Sequence, residues 1–137
     1  MSDTFFLSIL TGYDTLFKAL LIFIVLDYLS GVMRAFYTGK LSSKVGAKGI
    51  IKKIGYIILV IVVEILDILL KDNGYLRNII IYMFIANEGI SILENWARMG
   101  IKIPEFLKER FGDLKNNEDI NVTKTVEGKK DSKKDIN

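Results

Sequence analysis

The chain has 137 residues, half of them hydrophobic, with 19 basic and 16 acidic side chains for a net charge of +3 and a mean hydropathy of +0.31. It contains neither cysteine nor histidine, which removes disulfides, thiol nucleophiles, Ser/His and Cys/His arrangements, and thiolate or imidazole metal sites together. What remains fits an all-α integral membrane protein with no catalytic residue, no cofactor and no metal.

Residues 4–16 repeat apolar side chains at helical spacing, Phe5, Phe6, Ile9, Leu10, Tyr13 and Leu16, with Ser8, Thr11, Asp14 and Thr15 opposite. This pattern predicts an amphipathic helix that either lies in the membrane interface or extends the first span. The first charge is Asp3 and no small-residue cleavage pattern follows, so the segment is expected to be retained rather than cleaved as a secretory signal.

Three apolar runs follow, at about 17–36, 50–70 and 77–94. Crossing a hydrocarbon core about 30 Å thick takes about 20 helical residues, so three transmembrane helices are predicted within a membrane domain at 1–96. In the first run, Asp27, Ser30, Gly31 and Arg34 share one helical face. The second carries Glu64 and Asp67 one turn apart, on the face of Ile57 and Val60. Its aliphatic residues contribute roughly −0.3 to −0.6 kcal/mol each, against up to roughly 2.5 to 3.5 kcal/mol for each acid near the bilayer centre. The third is weakest in hydropathy, because Asn87, Glu88, Ser91, Glu94 and Asn95 form a broad polar face. Polar stripes on spanning helices point to packing against other helices or to lining water. These residues are therefore the candidate faces for oligomerisation or pore lining.

From the gap after the first run into the start of the second, Lys40, Lys44, Lys48 and Lys52 recur every four residues, with Lys53 adjacent, a spacing that would stack them along one side of a short helix although Gly46 and Gly49 weaken it. These lysines are predicted to contact lipid headgroups, and they also serve as an ordinary positive-inside signal. The Asn73-Gly74 pair predicts a tight turn after the second run. Beyond Trp96, Pro104 favours the start of a short helix within 97–114 carrying Phe106, Leu107, Phe111 and Leu114. Residues 115–137 are rich in charge and are expected to be a disordered tail. The loop after the first run and the segment after the third hold most of the basic residues, which predicts a multi-pass protein with its N-terminus outside and its C-terminus in the cytoplasm.

The block DYLSGVMRAFYTGKLSSKVGAKGIIKKIGYIILVIVVEILD at 27–67, followed by YMFIANEGISILENWARMGIKIPEFLK at 82–108, resembles the toxin-secretion/phage-lysis holin family of Gram-positive bacteria and their phages. Its specific parts are the D-Y-x-S/T-G-V opening, K-G-I-I-K-K at the second span, and N-E-G-I-S-I-L-E-N with its I-P exit. The resemblance implies a protein of the bacterial cytoplasmic membrane that forms homo-oligomers and opens a timed lesion. An endolysin or a toxin would then leave as cargo, without necessary direct contact. The partners are thus other copies of the chain and the lipid bilayer, with no nucleic acid. Intramembrane acids also occur in ion paths, so a small ion channel is the main alternative and a non-pore membrane adaptor the third.

Overall fold

The computed structural model describes residues 15–116, which form four helices and no strand. They are α1 (Thr15–Thr38), α2 (Ser43–Leu70), α3 (Tyr75–Arg98) and α4 over 105–116. The amphipathic helix predicted over 4–16 and the disordered tail predicted over 115–137 lie almost wholly outside the described residues.

Helix continues wherever nothing in the sequence stops it. The only proline is Pro104, and the first two breaks occur where the backbone turns left-handed, at Gly39 (φ 69°) and across Lys71, Asn73 and Gly74 (φ 56°, 58° and 79°). Gly74 takes this conformation without a Cβ penalty. Lys71 ends α2 in a left-handed C-cap. Because both connections are so short, α2 runs antiparallel to α1, and α3 returns parallel to α1. The lysine segment 44–53, expected as a loop or a short helix weakened by Gly46 and Gly49 that leads into the second run, is continuous with that run as the first part of α2. Gly46 and Gly49 are each worth about 1 kcal/mol less than alanine, too little to break so long a helix.

α3 is the central element. It packs most extensively on α1, less on α2, and α1 and α2 barely touch. The core joins Phe17, Leu20 and Ile24 of α1 to Val60 of α2 and to Ile81 and Ile85 of α3. Tyr56 stacks on Phe84 with ring centroids 4.2 Å apart. The weakest span by hydropathy is therefore the most enclosed, burying Glu88 and Asn95 with its aliphatic residues. α2 is the reverse. Only Val60 and Asp67 are buried there, while Ile51, Ile58, Val62 and Leu69 face outward, Leu69 with 74% of its surface exposed.

Among the described residues, two helices, α1 and α3, are long and apolar enough to cross a membrane. On this measure α2, the expected third crossing, does not qualify. α2 has the length, but every 18-residue stretch of it holds at least three charged side chains, counting among Lys44, Lys48, Lys52, Lys53, Glu64 and Asp67.

After Arg98 the chain turns at Gly100 (φ 82°), and Pro104 directly precedes α4. α4 folds back along the bundle. Phe111 meets Phe23 edge-on with centroids 5.9 Å apart, and Leu114 packs against the core. Phe111 also lies directly over Gly89, where any Cβ would overlap its ring. Phe106 and Leu107, the other apolar residues expected on this short helix, are exposed.

Candidate functional site

Two ionic clusters sit inside the bundle, about 11 residues apart along α2 and so separated by roughly 16 Å of helix, with the apolar core between them. The first lies near the middle of α1 and α3. The Lys53 ammonium donates to Asp27 Oδ2 and to Glu88 Oε2, at 2.6 Å each. One residue from each of the three long helices meets here, and all three side chains are largely withdrawn from solvent, with 14% of Lys53 exposed.

An amide network extends this cluster. Asn95 Nδ2 donates to Ser30 Oγ at 2.9 Å and to Asp27 Oδ1 at 3.3 Å. The Ser30 hydroxyl in turn donates to the Asp27 carbonyl oxygen at 3.0 Å. Gly31 faces the Asn95 amide, where a Cβ would rest at 3.7 Å, an ordinary contact. Ser91 and Arg34 line a cavity that opens beside the cluster. In a low-dielectric interior such a network is strong when its members are satisfied and costly when one is lost.

The second cluster closes the α2–α3 turn. The backbone N–H of Arg77 donates to Asp67 Oδ2 at 2.8 Å. α3 begins after Gly74, whose missing side chain leaves the helix without a cap of its own. Asp67, reaching across from the preceding helix, supplies the acceptor that an N-cap residue normally provides at N3. Glu64 Oε2 lies 2.7 Å from Arg77 Nε, an ion pair without hydrogen-bond alignment. The guanidinium also stands 5.9 Å from the centre of the Phe17 ring. Asp67→Ala is expected to lower stability by about 1 kcal/mol, and Asp67→Asn by less because it keeps an acceptor. Thermal unfolding in detergent, followed by circular dichroism, measures both.

Of the residues predicted as polar faces, Asp27, Ser30, Glu88 and Asn95 converge on one site, with Gly31, Ser91 and Arg34 at its edge. Glu64 and Asp67 belong to the other. Asn87 is half-buried and Glu94 exposed, and both lie outside the two clusters. Among the headgroup lysines, Lys40, Lys44, Lys48 and Lys52 are exposed. Lys53 is the correction: it points into the bundle and holds two carboxylates. The sequence carried a sign of this, because adjacent helical residues diverge by about 100°. Lys52 continues the outward stripe, while Lys53 precedes Ile57, Val60, Glu64 and Asp67 at helical spacing on the inward face. Arg77, in the first turn of α3, is the partner of Glu64.

The site contains paired charges and an amide network buried between helices whose outer faces are largely apolar, an arrangement suited to a membrane protein. The sequence profile of the bacteriophage holin family matches residues 4–116. The chain belongs to that family, one of non-enzymatic membrane proteins. It is 48% identical over 108 residues to an uncharacterized protein of Listeria monocytogenes, covering 77% of each chain. Over 119 residues it is 44% identical to an uncharacterized protein of Clostridium perfringens, covering 85% of this chain and 87% of the relative. A protein of Bacillus phage phi105 named "Probable holin" is 31% identical over 105 residues, covering 77% of this chain and 78% of the phage protein. No solved structure matches. Family and phage relative together support a holin-type role.

Proposed function

We propose that this protein is a holin. It collects in the bacterial cytoplasmic membrane, oligomerises, and opens a timed lesion through which an endolysin or a toxin leaves as the membrane potential collapses. The observation that carries this reading is the family match over residues 4–116. No enzymatic step is assigned to the chain.

In this proposal α2 crosses the bilayer as well. Its charge excess counts less than composition implies, because Lys53 and Glu64 face inward to ionic partners and Asp67 caps α3. The side left outward at bilayer depth is aliphatic, as a lipid-facing surface needs. Three crossings place both basic segments in the cytoplasm and the N-terminus outside. Lys40, Lys44, Lys48 and Lys52 then meet anionic headgroups. Reporter fusions after residue 40 and after residue 73 test the topology: the first should report cytoplasm and the second exterior, and a shared side for both would remove α2 from the membrane.

Lateral assembly requires polar groups that prefer a protein or water neighbour to lipid. In a single copy, Asp27 and Glu88 are satisfied by Lys53. Opening a lesion would exchange these internal partners for water or for neighbouring copies, so the strength of the cluster would set how long the closed state lasts. Asp27→Asn weakens one arm of the cluster without stranding a charge, and it is expected to change the lysis time while membrane insertion persists.

The deciding experiment follows release of a cytoplasmic fluorescent protein together with membrane potential in bacteria expressing the chain. A delay followed by sudden depolarisation and protein release is expected. Depolarisation without protein release would support a small ion channel instead, and an undisturbed potential would support a non-pore adaptor.

A further inference from the structure

A cavity of about 560 Å³ lies between α1, α2 and α3 at the end where α1 hands over to α2. Its floor is the Asp27–Lys53 pair, and Arg34, Lys40 and Arg98 line it toward the helix ends. None of these three side chains has an ion-pair partner among the described residues. The Asp27–Lys53–Glu88 cluster does not balance them: one ammonium between two carboxylates leaves at most one net negative charge against three cations. Leu41 and Val45 add apolar surface to the lining, and both are more than half exposed.

A basic mouth joined to apolar surface matches an amphiphile better than a small hydrated ion. Arginine offers a planar fork of donors suited to phosphate oxygens. A cluster of uncompensated cations attracts an anion and repels a quaternary ammonium group. The volume is within the range of small-molecule sites. We propose that this cavity binds an anionic phospholipid from the adjoining leaflet, its phosphate held by Arg34 and Arg98 with help from Lys40, and one acyl chain lying against Leu41 and Val45. The site differs from the exposed stripe of Lys44, Lys48 and Lys52, which lies outside the cavity and attracts a charged surface without selecting a molecule. The inference rests on membrane residence alone and not on lesion formation.

The test uses the full-length chain in a neutral detergent, with bound lipid counted by native mass spectrometry on titration with palmitoyl-oleoyl phosphatidylglycerol. Phosphatidylcholine with the same chains and inorganic phosphate serve as competitors. The variants are Arg34→Gln/Arg98→Gln and, as a surface-charge control of equal size, Lys44→Gln/Lys48→Gln. Val45→Phe crowds the apolar part of the lining without changing charge, so the test does not depend on the arginine variant folding. The expected result is saturable binding of phosphatidylglycerol that phosphatidylcholine does not displace. Affinity should fall roughly tenfold or more in the arginine variant and also fall in Val45→Phe, with little change in the lysine control. Equal losses in the arginine and lysine pairs would overturn the proposal in favour of diffuse surface attraction. So would displacement by inorganic phosphate, which would show a free-anion site, or equal binding of phosphatidylcholine. Because binding is read without any lysis assay, failure here and failure of the holin reading are separate results.

Discussion

Lys53→Met is expected to lower the stability of the bundle by about 3–5 kcal/mol, the usual consequence of removing one member of a buried charge cluster. Asp27 and Glu88, each 2.6 Å from the ammonium in the native protein, would face each other across the gap with no cation between them. Two carboxylates cannot both stay ionised there without water, so the helices would separate or the protein would fail to accumulate in the membrane. The companion experiment removes all three charges. Asp27→Asn/Lys53→Met/Glu88→Gln should recover most of the loss, because replacing a whole buried ionic group with neutral side chains is often close to neutral for stability. Thermal unfolding in detergent and membrane abundance measure both proteins. If the single variant matches the wild type, Lys53 does not hold the three helices together.

Gly89→Leu is expected to detach α4 from the bundle. The Phe111 ring occupies the space a side chain at position 89 would need. The ring is also held edge-on by Phe23, so it has no easy way to yield. Overpacking of this kind costs about 1–3 kcal/mol, and a helix of 12 residues (105–116) has few other contacts to offset it. The expected result is rapid proteolysis between Arg98 and α4 in detergent, with α1–α3 remaining resistant. Phe111→Ala should loosen the same contact from the other side. The double variant should lose less than the sum of the two single losses, because both substitutions remove the same contact. Full protection of α4 in Gly89→Leu would show that its docking does not depend on that glycine.

Much of this protein was determined by the sequence alone. The apolar runs, the absence of proline before position 104, and Gly39 and Asn73-Gly74 set three long helices and their turns, because local periodicity and backbone freedom decide where helix starts and stops. For the three long helices the observed ends lie within four residues of the predicted ones, except at the start of α2, where weakly unfavourable glycines did not prevent helix. The family was also legible, since its motifs are short and fall within single elements. Which residues are partners was decided only by the tertiary structure. Asp27, Lys53 and Glu88 lie 26 and 35 residues apart in sequence, and helical spacing assigns each to a face without saying which faces meet. The same limit hid the capping of α3 by Asp67 and the seat of Phe111 on Gly89. Hydropathy ranked α3 as the poorest span, yet packing placed it at the centre, because polar groups that lipid would reject are satisfied when they face other helices.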